Sequence, residues 1–155
     1  MSIYRRFPQQ QDPSFITTNA HERRRIFAAP GACELVIQIM YAALAETATP
    51  LLAFAVMPDH VRLIVVPEKV DISKTMQLVK GRFAREYNLR HSATGSVWQT
   101  RFHERTLSTE AALSSAVEYV HNNPVVTGLA EKPEDYPFSS ANERFKTDLE
   151  DYLGG

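Results

Sequence analysis

Cysteine is almost missing from this chain of 155 residues. Cys33 stands alone, which excludes an internal disulfide framework and fits a reducing cytoplasm. It lies within an apolar helical pattern and reads as core filler rather than as a reactive thiol. No apolar run approaches the length needed to span a membrane. The start, Met1 to Arg6 followed by Pro8 and a glutamine cluster, has no apolar signal region, so a cytoplasmic protein is expected. Internal repeats and long low-complexity stretches are lacking too. Excess charge is also missing: the net value is −1, which argues against a generic polyanion binder. That figure hides an asymmetry. Residues 1–106 hold 14 Lys+Arg against 9 Asp+Glu (+5), and residues 107–155 hold 3 against 9 (−6). A basic body with an acidic end suits a local nucleic-acid surface, and equally an ordinary solvated one.

What is present is enough for one domain with a sizeable core: 44% hydrophobic and 23% charged residues. Phe15 to Thr18 reads as a short strand, followed by a basic turn from His21 to Arg25. From Ala32 to Glu46 the residues Leu35, Val36, Ile39, Met40 and Ala43 recur at helical spacing. Leu51 to Met57 is continuously apolar, as in a strand covered on both faces. Pro58-Asp59 breaks it, and His60 to Val66 follows as the antiparallel partner. Asp71 or Ser73 caps a second helix with Ile72, Met76, Val79, Phe83 and Tyr87 on one stripe, leaving Leu78 exposed on the other side. Gly95 opens a strand through Val97 to Phe102. Ser108 or Thr109 caps a third helix that stops near Asn122, before Pro124. Residues 1–140 form one domain, and 141–155 an acidic tail or weak helix. The order predicts an α+β fold with a mainly antiparallel sheet flanked by helices.

Two stretches carry chemistry. In the first, His60 and Arg62 are two apart on a strand and share a face. An imidazole nitrogen can ligate a divalent cation, whereas a guanidinium has no lone pair to offer. Taken alone, His60 is more often a structural or surface histidine. In the second, Tyr119 flanks the core stripe of Leu113, Ala116, Val117 and Val120, with Asn123 one turn below it. A tyrosine so placed is usually packing, and Asn-Asn-Pro is a common helix stop. Arg101, His103 and Arg105 alternate along a strand as a row of phosphate donors, to which Lys80 and Arg82 add. Trp98 reads as a core anchor more readily than as a base-stacking platform. Arg5, Arg6 and Arg23 to Arg25 are further candidate DNA contacts. Pro133 to Pro137 forms a rigid turn that packs Tyr136 and Phe138.

Several passages together resemble the REP-associated tyrosine transposases, within the insertion-sequence family of single-tyrosine HUH transposases. They are Ala55 to Val61 (AVMPDHV), Lys80 to Phe83 (KGRF), Val97 to Phe102 (VWQTRF), Tyr119 to Val125 (YVHNNPV), Gly128-Leu129, and Pro133 to Ser140 (PEDYPFSS). The likeness covers about residues 14–142. It implies a ferredoxin-like or RRM-like sheet with the tyrosine helix laid over the histidine strand. It also implies that Tyr119 is the nucleophile and that His60 and Asn123 hold Mg²⁺ or Mn²⁺. The family motif is His-hydrophobe-His, and here the second histidine is Arg62.

The chemistry implied is cleavage and transfer of single-stranded DNA folded as a hairpin. A cation polarises the scissile phosphate, and Tyr119 attacks to leave a 5′-phosphotyrosine and a free 3′-hydroxyl. That bond keeps the phosphodiester energy, so strands rejoin without ATP. The Arg62 substitution opens an alternative: a domesticated protein that binds hairpin DNA and no longer cuts. An RRM-like RNA binder, the third reading, requires exposed aromatics on central strands. Few candidates besides Trp98 exist. A homodimer is compatible with all three readings.

Overall fold

The computed structural model describes residues 11–154. Strand β1 (Ser14–Asn19) leads through two short 3₁₀ turns into helix α1 (Pro30–Glu46). Strands β2 (Leu51–Met57) and β3 (His60–Val65) form the expected hairpin, and helix α2 (Ile72–His91) follows. Strand β4 (His103–Thr106), helix α3 (Glu110–Val126) and the short helix α4 (Leu149–Gly154) complete the chain. All strand pairs are antiparallel, in the order β2-β3-β1-β4. The βαββαβ sequence with β1 and β3 central is the ferredoxin-like arrangement.

The sheet alternates its side chains between two layers. Ile16, Phe54, Val56, Val61, Leu63 and Val65 pack with α1 and α2. Phe15, Leu52, Ala55, Ile64 and Val66 pack with Leu113, Ala116 and Val120 of α3 and with Tyr152 of α4. Every β2 residue is buried, as its unbroken apolar run requires.

Helix ends are fixed by side chains. Asp71 accepts from the Ser73 N–H at 3.1 Å to start α2, and the Thr109 hydroxyl accepts from Ala112 N–H at 3.1 Å to start α3. At the other end of α2, the Arg90 guanidinium complements the helix dipole.

Three expectations are corrected. Val97 to Phe102 is not a strand. Its backbone bonds to the β1 exit at His21 and Asn19, and Trp98 is a buried plug whose indole donates to the Lys80 carbonyl at 3.0 Å. Phe27, Phe83 and Trp98 pack with centroids 5.3–5.5 Å apart, so the aromatic residues suggesting β structure fill the core instead. Helix α3 does not stop at Asn122. It runs through a buried Pro124 to Val126. Beyond it the Thr127 hydroxyl donates to the Asn123 carbonyl, and Leu129 N–H to the Pro124 carbonyl. Leu78 is half-buried against the α1–α2 core.

The C-terminal stretch folds back along the free edge of β2. Val56 and Ser140 N–H groups bond to Phe138 and Phe54 carbonyls, Tyr136 donates its hydroxyl to the Val56 carbonyl at 2.5 Å, and Asp148 N–H bonds to Leu51. This covers one sheet edge and leaves β4, all of whose residues are exposed, as the other.

Candidate functional site

Helix α3 lies on the sheet through Leu113, Ala116 and Val120. Tyr119, one residue before Val120, is rotated by about 100° and emerges at the helix flank, 50% exposed. Its ring stands 6.2 Å from Phe15 and is covered by the Arg62 guanidinium at 4.9 Å from the ring centroid. Arg62 faces α3 because it alternates with Val61 and Leu63, which point to the α1–α2 layer.

Strand register supplies the rest. Thr17 pairs with Arg62 on one side and His103 on the other, and Phe15 pairs with Ile64 and Arg105. Arg62, Thr17 and His103 therefore form one cross-strand row on the α3 face, with Arg105 in the next. These residues, with Phe15, Glu104 and Tyr119, line a groove of about 540 Å³ between α3 and the β4 edge. The Arg105 guanidinium lies 5.3 Å over Phe15. Glu104, between His103 and Arg105 in sequence, accepts from the Ser14 hydroxyl at 2.9 Å. Among the described residues no carboxylate pairs with Arg62 or Arg105. The groove thus sets two guanidiniums without a described carboxylate partner beside an exposed phenol, with the Glu104 carboxylate in the same lining.

His60 shares this sheet face two residues before Arg62, yet it is only 7% exposed. Its Nδ1 lies 2.7 Å from Asp59 Oδ1, and the other Asp59 oxygen accepts from Arg23 Nε at 3.0 Å. Burial, with the Arg62 and Arg23 charges, pulls the His60 pKa below its ordinary value, against the opposing effect of Asp59. Burial works against the Asp59 charge, but the bonds from His60 and Arg23 hold its carboxyl below the usual range. A neutral ring donating Nδ1–H to Asp59 leaves the Nε2 lone pair buried and without a partner. That is the tautomer a metal-ligating histidine adopts when a carboxylate orients it.

Asn123, one turn after Tyr119, lies in a second groove of about 450 Å³ with Glu118, Asn122 and Val126. Tyr119 borders both grooves. Among the described residues no three His, Cys, Asp or Glu side chains converge as a metal-binding group. His121, two residues past Tyr119, is turned the other way. Its Nε2 meets Ser140 Oγ at 2.7 Å, and Ser140 accepts from Phe54 N–H, which ties α3 to the β2 edge. Burial lowers the His121 pKa.

The remaining predicted contacts are not in this cluster. Lys80 and Arg82 belong to α2, in the opposite layer. Lys80 donates to the Gln99 carbonyl at 2.9 Å, and Arg82 grips Glu46 with two nitrogens. Arg101 is exposed in the loop before β4. Arg23 is engaged by Asp59 and Arg24 by the Ser96 carbonyl, whereas Arg25 lines a separate groove with Arg90 and His91. Arg5 and Arg6 lie outside the described residues. Sequence reasoning missed Asp59, Phe15 and Thr17. The signal for Asp59 was its place beside His60 in a two-residue turn, and the other two follow only from strand register.

Residues 15–123 match the family model described as Transposase IS200 like. The chain is 28% identical over 115 residues to a Haemophilus influenzae protein named as a REP-associated tyrosine transposase, covering 66% of this chain and 65% of that one. The chain therefore spans just under two thirds of that relative's length. A solved REP-associated tyrosine transposase bound to a REP hairpin is similar with a TM-score of 0.74 and 25% identity, over 93% of this chain and 84% of the other. A Deinococcus radiodurans R1 structure named as a transposase shares the fold, with a TM-score of 0.55 and 19% identity over 79% and 97% of the two chains.

Proposed function

This chain belongs to the IS200-like transposase family, and from that premise we propose that it binds single-stranded DNA folded as a hairpin and breaks it with Tyr119. The observation that carries this reading is the exposed Tyr119 phenol on the wall of a groove that also presents the Arg62 and Arg105 guanidiniums and the His103 ring. A phosphodiester is the anion such a groove accepts, since guanidinium forks pair with phosphate oxygens. The hairpin bound by the solved relative supports the choice of substrate.

In the proposed step the Tyr119 oxygen forms a bond to phosphorus as the bond from phosphorus to the 3′ oxygen breaks. The phenolic proton passes to solvent, and the departing oxygen takes a proton from water. The products are a 5′-phosphotyrosine and a free 3′-hydroxyl. The covalent link conserves the bond energy, so a second strand end reverses it.

A divalent cation would polarise the phosphate. His60 offers it one oriented, unpartnered nitrogen, and Asn123 is the second proposed ligand. The donor set does not fit such a centre beyond that, because the next side chain on the His60 face is the Arg62 guanidinium.

The same substitution favours a second reading, hairpin binding without cleavage. Labelled hairpin oligonucleotides incubated with the protein separate the two. Cleavage predicts a nick with a free 3′-hydroxyl, and Tyr119→Phe retains hairpin affinity but leaves the strand intact. Equal cleavage by Tyr119→Phe would sink the nucleophile assignment, and affinity with no nick in the native protein would leave the binding reading.

A further inference from the structure

We infer that Arg62 takes the place of the divalent cation, holding the DNA phosphate at Tyr119 as a resident positive charge, so that phosphate capture needs no metal. The inference rests on the proposed function for its substrate, but not on whether the strand is cut.

Four observations converge. Arg62 stands two residues after His60 on the same sheet face, so the two side chains are neighbours there and the Arg62 charge acts on the His60 ring. A cation beside it would be repelled, and a guanidinium has nothing to donate to a metal. The Arg62 guanidinium lies over the Tyr119 ring at 4.9 Å, which brings its N–H fork within reach of a phosphate approached by the phenolic oxygen. No described carboxylate neutralises it, although it is half-buried on the sheet. A structural arginine at such a place would be expected to have an anionic partner, because burying an unpaired charge is costly. Finally, Thr17 and His103 extend the same cross-strand row, and Arg105 adds a second guanidinium to the groove that no described carboxylate pairs with. Together the two guanidiniums and the Thr17 and His103 side chains define an anion seat beside the Tyr119 phenol.

The test compares the full chain with Arg62→Ala, Arg62→Lys and Arg62→His. Three readouts are affinity for a hairpin oligonucleotide, formation of a DNA-linked protein band, and melting temperature, each in excess chelator and in Mn²⁺. For the native protein, affinity is expected to be the same in chelator and in Mn²⁺, with no Mn²⁺ shift in melting. Arg62→Ala is expected to lose about tenfold or more in affinity under both conditions, the scale of a lost charge-assisted bond. Arg62→Lys should recover part of it, since it keeps the charge and loses the fork. Arg62→His is expected to bind weakly in chelator and to gain both affinity and melting temperature with Mn²⁺.

Native affinity that collapses in chelator, or a native melting shift with Mn²⁺ equal to that of Arg62→His, would overturn the inference. So would unchanged affinity in Arg62→Ala with folding intact by circular dichroism. If no variant forms a DNA-linked band, the cleavage reading fails while the affinity results still decide the role of Arg62.

Discussion

The most direct test of how α3 presents Tyr119 is Leu113→Ala. Leu113 is 1% exposed and lies in the layer with Leu52, Ile64, Val66 and Val120, so it holds the first turns of α3 against the sheet. Truncating a fully buried leucine costs about 3–5 kcal/mol, combining lost transfer energy with the cavity left behind. At about 2 kcal/mol per molar urea for a domain of this size, the unfolding midpoint should fall by about 1.5–2.5 M with an unchanged slope. In a thermal scan the same change corresponds to a loss of about 6–20 °C. Tyr119→Ala is the internal control. Its ring touches Phe15 and Arg62 but is half exposed, so its removal should shift the midpoint by less than about 0.5 M. Urea titrations followed by far-ultraviolet circular dichroism read both. A Leu113→Ala shift no larger than the Tyr119→Ala shift would refute the claim that α3 is docked through this stripe.

Further expectations concern titration, reactivity and salt. His60 and His121 both have pKa values pushed below the ordinary histidine value, chiefly by burial, so the unfolded chain binds more protons than the folded one as pH falls below about 6.5. Their contribution is present above that pH and is lost on acidification. The urea midpoint should therefore drop between about pH 7.5 and pH 5.5, and less so in His121→Asn; a flat profile contradicts this. The Cys33 thiol is pushed up to about 12, by burial first and then by Glu34, and it donates to the Phe27 carbonyl at 3.0 Å. Maleimide labelling at neutral pH should proceed only as fast as unfolding, and rapid labelling of the native protein would show an open core. Arg105→Ala should weaken hairpin binding and reduce the log–log salt slope by about 0.7 for one lost single-strand phosphate contact, whereas an unchanged slope would remove Arg105 from the interface.

Local sequence patterns carried much of the fold. The unbroken apolar run of β2, the α2 stripe and the Asp71 and Thr109 caps are each determined by a few neighbouring residues, and each appears where expected. The segment before β4 was not legible, because Trp98 is placed by a hydrogen bond to Lys80 and by packing on Phe27 and Phe83, all distant in sequence. The end of α3 was misread for a similar reason: Pro124 removes one helical donor, but burial and the Thr127 cap carry the helix beyond it. At the site, the shared face of His60 and Arg62 and the flank position of Tyr119 follow from periodicity. Their meeting does not, since the Arg62–Tyr119 contact and the His103–Thr17–Arg62 row depend on sheet order and register. Lys80 and Arg82 were drawn to the site by charge alone, and topology places them in the other layer.

The central claim is that Tyr119 becomes covalently joined to DNA. It is tested most directly by peptide mass spectrometry of the protein after incubation with a hairpin oligonucleotide and nuclease digestion. The account predicts a nucleotide monophosphate on the peptide containing Tyr119, located on that side chain by fragmentation. Modification at any other residue, or hairpin cleavage with the Tyr119 peptide unmodified, would contradict it.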